Sequence, residues 1–448
     1  MLTPDAALDR LDAALAAARA AGADAADAVY VGDGAGHVSV RLGKLEDIGR
    51  AEGEEVGLRV FVGQRSASVS SSDLSPAALA EAATRAVAMA RLAPEDPYAG
   101  LAPEDRLATG ALPDPDIDDP TEVSAALLKE RALACEDAAR AVTGITNSEG
   151  ASASAGVVVM ALATSTGFRG ARRSTSHSLS ASVVAGTGND MQRDYAWHSA
   201  RHLADVESAG EIGARAGNRA VARLRPVKLA SAAMPVLFDP RVSASLLGHL
   251  VGAITGSAIA RGTSFLKDRL GQRILPAGLC VIDDPLRPRG LRSRAFDGEG
   301  LACRRTAIID DGVLTTWLMD VASAHQLGLA PTGHASRGTS APPGVGTTNL
   351  HLEGGTVTRA DLIAGVKRGV LVTELIGMGV NGLTGDYSRG ASGFLIENGE
   401  IAGPVAEITI AGNLNDMFAR MVAADDLAFR HASNAPTLLI EGMTVAGS

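Results

Sequence analysis

The sequence predicts an α+β protein, with an N-terminal part of helices and strands followed by a mainly antiparallel, β-rich part with a few helices. Three observations carry this. Helix starts are marked by a capping residue and then proline at Thr3-Pro4, Ser75-Pro76 and Asp239-Pro240. Short Val-rich or alternating runs next to Gly or Asp lie between them, as strands do. Asp311-Gly312 and Asn398-Gly399 each sit between apolar runs, and both dipeptides accept the positive φ of a type I′ hairpin turn.

The first helix starts at Thr3, and Leu8, Leu11 and Leu15 mark its inner face. Extended segments are expected at 28–32, 36–42, 56–62 and 66–70, then a helix over 75–92. Residues 93–120 hold six prolines, Pro94, Pro97, Pro103, Pro113, Pro115 and Pro120, and read as a linker or an extended surface crossing. Asp119-Pro120-Thr121-Glu122 resembles a capping box and predicts a helix to about Val142. Strands are expected near 156–163, 168–176 and 179–185, and a helix over 208–224. Strands are thus bracketed by helices twice, near 1–92 and 120–224. That points to a structural repeat, though no sequence period supports it. The composition changes near Pro226, which divides the chain into domains 1–225 (with subregions 1–118 and 119–225) and 226–448. In the second domain, Val242, Leu246, Leu247, Leu250 and Ile254 form one face of the helix that Asp239 caps.

Of the 448 residues, 46% are hydrophobic and 21% charged, enough to bury a sizeable core. Aromatic residues are only 3%, so that core must be aliphatic. The formal charge of −10 lacks the basic footprint of nucleic-acid binding, so no nucleic-acid partner is expected. Cys135, Cys280 and Cys303 are odd in number and widely spaced, which suits a reducing compartment. No basic stretch precedes an apolar one at the start, and no apolar run is long enough to span a bilayer. A cytoplasmic protein without membrane partners is expected.

Several motifs are weak. Gly377-Met378-Gly379-Val380-Asn381-Gly382 matches GxGxxG after a strand-like run. The chain then continues as a glycine-rich loop with no helical period, so the phosphate-binding context is missing. Ser388 and Ser392 lack nucleophile-elbow spacing and read as turn serines. None of the nine histidines is followed by Glu, which excludes HExxH and HExxxH. His198 and His202 have the spacing of one helical face but no nearby third ligand. Asp283-Asp284, Asp310-Asp311 and Asp425-Asp426 read as turn or capping carboxylates. Residue chemistry alone therefore shows no self-evident catalytic constellation.

The C-terminal half closely resembles the TldD/PmbA family. The segments that carry the likeness include Phe296-Asp297-Gly298-Glu299-Gly300, Arg304-Arg305-Thr306 and Leu371-Val372-Thr373-Glu374-Leu375-Ile376-Gly377. Thr384-Gly385-Asp386-Tyr387-Ser388-Arg389-Gly390-Ala391-Ser392-Gly393 and Glu407-Ile408-Thr409-Ile410-Ala411-Gly412-Asn413-Leu414 continue it, up to Leu438–Gly447. The resemblance implies a cytoplasmic complex of two related subunits that degrades unfolded or small peptides. It also implies that the TldD-type subunit holds a metal, usually taken as zinc, through HExxxH on a helix and a cysteine near its C-terminus. Here Gly248 falls at the first His, His249 at the Glu and Ala253 at the second His; shifting by one residue puts His249 first, followed by Leu250 and Ile254. The region Phe429–Ala435 lacks the cysteine. These absences resemble the PmbA (TldE) branch. They imply no catalytic residue, metal or cofactor in this chain, zinc in a TldD-type partner, and a role in holding peptide and closing the cavity. Asp386, Tyr387, Ser388 and Arg389 are the candidate peptide or partner contacts, since glycine-rich backbone can approach a ligand closely. Homodimerisation stays open. So do two other readings: an autonomous metallopeptidase using a set such as His198 and His202, and a regulatory binding protein without proteolysis, in line with the family's older link to DNA gyrase.

Overall fold

The computed structural model describes residues 1–447; Ser448, the last residue of the expected second domain, lies outside them. The first half is α1 (Pro4–Ala21), β1 (Ala25–Arg41), β2 (Lys44–Val62), β3 (Arg65–Ser71), α2 (Pro76–Leu92), α3 (Ala125–Arg140), β4 (Ile145–Thr164), β5 (Arg169–Ala185), β6 (Gln192–Ala200) and α4 (Ala209–Ala222). Helix, three strands and helix thus occur twice. The strands join in one antiparallel sheet ordered β3-β2-β1-β4-β5-β6, with the first strand of each unit paired at its centre. The suspected repeat is therefore real at the level of topology.

The sheet's two faces have different neighbours, because successive side chains alternate. Ala28 and Tyr30 pack with Leu8, Leu11 and Leu79 of α1 and α2, while Val38 and Val40 pack with Leu128 and Ile212 of α3 and α4. Val29 and Leu162 face the other way and meet Phe168 and Phe296, which brings the second half against the sheet.

Four expectations need correction. The segments expected at 28–32 and 36–42 are one strand, β1, and β2 extends back to Lys44. Residues 44–55 are almost all exposed or half-buried and carry no apolar alternation. Backbone pairing along β1, such as Val38 with Ile48, holds them. No helix starts at Asp119: its carboxylate accepts the Thr121 and Leu203 N–H groups at 2.9 and 2.7 Å, and Ser124 caps α3 instead. His198 lies in β6 and His202 in the turn after it, so they share no helical face. Finally, the glycine-rich stretch after Gly382, expected as a loop, enters a strand at Asp386 and runs on into the expected hairpin arm.

The second half comprises β7 (Ala232–Phe238), α5 (Pro240–Ala253), α6 (Gly256–Ala260), β8 (Val281–Asp283), β9 (Thr306–Asp310), β10 (Val313–Leu314), α7 (Val321–Leu327), β11 (Ala335–Ser336), β12 (Gly344–Val345), β13 (Leu350–Leu352), α8 (Arg359–Ala364), β14 (Arg368–Val380), β15 (Asp386–Glu397), β16 (Glu400–Asn413), α9 (Leu414–Ala419), β17 (Met421–Ala423), β18 (Ser433–Asn434) and β19 (Leu438–Ala446). Its largest sheet runs β16-β15-β14-β7-β19-β17, and β16 also pairs with β19, so five strands close on themselves. A smaller sheet runs β10-β9-β8-β13-β18. Only β7–β14 and β13–β18 are parallel among the named strand pairs. Both expected hairpins form with positive φ at each turn residue: 45° and 77° at Asp311 and Gly312, 51° and 83° at Asn398 and Gly399. α5 buries Leu246, Leu247 and Leu250 against Val236, Phe238, Val370 and Val372.

A buried charge cluster ties the halves together. Asp27 of β1 accepts hydrogen bonds from Arg59 of β2 and pairs at 2.5 Å with Arg337 from the second half. Burial alone would raise the Asp27 pKa, but Arg337 and Arg59 outweigh it and hold it below its ordinary value. Glu299 lies nearby, and its carboxyl group accepts the Val321 N–H at the start of α7 at 2.8 Å.

Candidate functional site

α5 and β15 bring together two of the stretches singled out in the sequence. Gly248 and Gly252 sit on the outer face of α5, where an added Cβ would meet nothing within 4 Å. Ala253 is buried in the core, as are Leu250 and Ile254. His249 lies between these faces and packs edge-on against Tyr387, with ring centroids 5.8 Å apart.

β15 splits the four candidate contacts into two pairs. Tyr387 is buried on the face toward α5, and Arg389 shares its side of the strand. Asp386 and Ser388 are exposed on the opposite side, where Asp386 accepts from the Thr384 hydroxyl at 2.7 Å and from Asn413 at 3.0 Å. Ser392 is no turn serine either: it is buried in the strand, takes a hydrogen bond from Arg223 and donates one to Glu374.

Two of the glycines sit tight against a neighbouring strand. A Cβ at Gly393 would overlap the Leu371 carbonyl of β14, and one at Gly379 the Ser388 carbonyl of β15. Both residues border irregularities in the β14–β15 register. Gly393→Ala is therefore expected to cost about 1–3 kcal/mol or more by forcing the strands apart. Chemical denaturation beside Gly403→Ala, where a Cβ meets open space, checks this.

The His249 group is polar but poorly supplied with partners. His249 Nε2, the Tyr387 hydroxyl and Arg389 Nε are all buried without a hydrogen-bond partner. Burial, and then the Arg389 charge, push the His249 pKa down. Burial pushes the Tyr387 phenol up to about 12 against the pull of Arg389. This donor set does not fit a metal ion: it offers one imidazole, and a guanidinium lies close enough to disfavour positive charge on it. Among the described residues no three His, Cys, Asp or Glu side chains lie close enough together to hold an ion. Burial pushes the Cys135 and Cys303 thiols up to about 12, and Cys280 lies at the Asp310–Asp311 turn.

His198 and His202 do not converge. His198 Nδ1 accepts the Glu207 N–H at 3.1 Å, whereas His202 Nε2 lies 3.2 Å from Asp116. Burial is also the main cause of lowered pKa values at His177, His198, His351 and His431. With His249, these groups stay neutral in the folded chain where the unfolded chain would take up protons. Stability is therefore expected to fall as pH drops below the ordinary value of 6.5 and through the lowered folded values. Thermal melts across that range check the direction.

One of the chain's concavities has no counterpart in the sequence motifs. A cleft between the halves has two bays of about 550 and 470 Å³ that share Arg215, Arg219, Asp239, Arg241 and Arg359 in their walls. Arg215 and Arg219 come from α4, and Arg241 and Arg359 from the starts of α5 and α8. In sequence these arginines are scattered over some 145 positions, and no spacing rule links them. Trp197 of β6 stacks on His431 in one bay, with centroids 4.5 Å apart.

Family models match three consecutive stretches: PmbA/TldA metallopeptidase domain 1 over residues 26–90, the central domain over 118–224 and the C-terminal domain over 231–447. The sequence is similar to Metalloprotease PmbA of Escherichia coli O157:H7, with 41% identity over 412 residues, covering 92% of this chain and 89% of that one. It is 36% identical over 417 residues to the Metalloprotease PmbA homolog of Haemophilus influenzae, covering 92% and 90%. A solved Bacteroides thetaiotaomicron structure, described as a candidate modulator of DNA gyrase, matches with a TM-score of 0.91 and 30% identity over 100% of both chains. TldE from Thermococcus kodakarensis shares the fold, with a TM-score of 0.87 at 22% identity over 98% of this chain and 100% of that one.

Proposed function

The chain belongs to the PmbA/TldD metallopeptidase family, on its PmbA/TldE side, and from that premise we propose that it is the metal-free subunit of a two-chain cytoplasmic metalloprotease. In this reading a TldD-type partner carries the zinc and performs hydrolysis of unfolded or small peptides. This chain completes the cavity and holds the peptide. The observation that carries the reading is what α5 holds at the metal-motif positions. Where the family resemblance puts the metal motif, this helix presents Gly248, a half-buried His249 hemmed by Tyr387 and Arg389, and Ala253 in the core. Of the contacts expected from sequence, Asp386 and Ser388 remain available for a partner or peptide, because they lie on the exposed side of β15.

Co-expression with the TldD-type subunit of the same organism tests the assembly. The expected result is a stable complex with zinc bound by the partner and none retained by this chain alone. Stoichiometric zinc in the isolated chain, or no association with the partner, would overturn the proposal. Gyrase modulation is the second reading, carried by the description of the Bacteroides structure. It would be favoured if the chain bound gyrase and the pair cleaved no peptide.

A further inference from the structure

Among the described residues, one arginine of the arginine-walled cleft makes no ion pair. Arg241 pairs with Asp194 at 2.7 Å, Arg359 with Asp239 at 2.8 Å, and Arg215 and Arg430 share Glu207 at 2.7 and 2.5 Å. Glu211 is engaged by Ser208 in the capping box of α4. Arg219 has none of this: its one protein hydrogen bond is to the Tyr195 carbonyl at 3.2 Å, and among the described residues no carboxylate lies within 4.0 Å of it. Its guanidinium lines both bays, with most of its five N–H donors unspent. Burial pushes its pKa down to about 10, and the neighbouring Arg241 adds to this against the pull of Asp194 and Asp239.

The surroundings narrow the ligand. One free guanidinium balances one negative charge and offers the planar fork that a carboxylate fits. A phosphate dianion or a diphosphate would leave charge unmatched among the committed acids Asp239 and Asp426. Apolar and aromatic side chains lie beside it, Leu371 and Phe394 in one bay and Trp197 with His431 in the other, among the uncharged polar Asn218, Thr373 and Asn434. Each bay is of a size that ligand sites use. A single carboxylate flanked by apolar side chains is the chemistry of a peptide C-terminus.

We propose that Arg219 anchors the C-terminal carboxylate of a peptide in the cleft between the two halves, with the adjoining side chain lying along Trp197 and His431. The ligand's identity rests on the peptide-handling function proposed above; the site itself rests on geometry.

The test uses the full chain and a short peptide with an apolar last residue, as free acid and as C-terminal amide. Trp197 is 38% exposed and Trp317 5%, so fluorescence quenching reports on the cleft. The free acid is expected to bind about tenfold to a hundredfold more tightly than the amide, the worth of one charge-assisted contact. Arg219→Gln should abolish that preference, Arg219→Lys should retain part of it, and Arg215→Gln should keep it, with melting curves confirming that each variant is folded. Equal binding of acid and amide, or an undiminished preference in folded Arg219→Gln, would overturn the proposal. So would inorganic phosphate binding as tightly as the free acid. Cleavage by the two-chain complex separates the two claims. Peptide cleavage without a free-acid preference defeats the site alone; a free-acid preference without any cleavage by the complex defeats the proteolytic reading alone.

Discussion

Asp27→Asn is expected to destabilise the chain by about 3–5 kcal/mol, because it strands two buried arginines without their shared counter-ion. The relative exposures are small on every side: 1% for Asp27, 6% for Arg59 and 2% for Arg337. Arg59 belongs to the first half and Arg337 to the second, so the loss should fall on their association as well as on the sheet. Urea denaturation followed by circular dichroism measures it. A loss below about 1 kcal/mol, the range of an exposed ion pair, would show that the cluster does not hold the halves together. Since the Asp27 pKa is lowered, its contribution is fully present above the ordinary value of 3.8 and is lost only as pH falls through the lowered folded value.

The second large effect concerns Glu299 and runs the other way with pH. Burial, then repulsion from Asp297, raise its pKa to about 8, with Arg59 and the Val321 N–H opposing and Asp320 adding to the rise. The folded chain therefore keeps a proton that the unfolded chain releases above the ordinary value of 4.5. Stability is fully present below that value and falls as pH rises toward about 8, by about 3–5 kcal/mol at one pKa unit per 1.36 kcal/mol. Glu299→Gln keeps an oxygen to accept the Val321 N–H and removes the titration. The variant should match the wild type near pH 5 and exceed it at pH 8 in denaturant melts. Part of the decline should persist, because burial also raises the Asp297 pKa. A variant less stable than wild type at pH 8 would mean that Glu299 is charged in the fold.

The sequence made legible those elements whose signals are local. Thr3, Ser75 and Asp239 cap helices where expected, since a cap needs only its own side chain and the next turn. The two type I′ turns were readable for the same reason. The family was readable from ordered motifs across the second half. The features that escaped depended on distant partners. Residues 44–55 look like loop because their strand character comes from pairing with β1. Gly385–Gly393 looks like loop because Gly390 and Gly393 sit close against β14, while only Gly385, at positive φ, belongs to the turn. The alternation that separates Tyr387 and Arg389 from Asp386 and Ser388 emerges only once that segment is known to be a strand. The Arg219 cleft was invisible, since its walls come from β6, α4, α5 and α8, which folding alone brings together.

The most direct measurement is the cleavage rate of an unfolded polypeptide by three preparations at equal zinc: this chain, the TldD-type subunit, and the two together. Cleavage is expected from the pair alone, abolished by a chelator and restored by zinc. Equal cleavage by the TldD-type subunit without this chain would contradict it, as would chelator-sensitive cleavage by this chain alone.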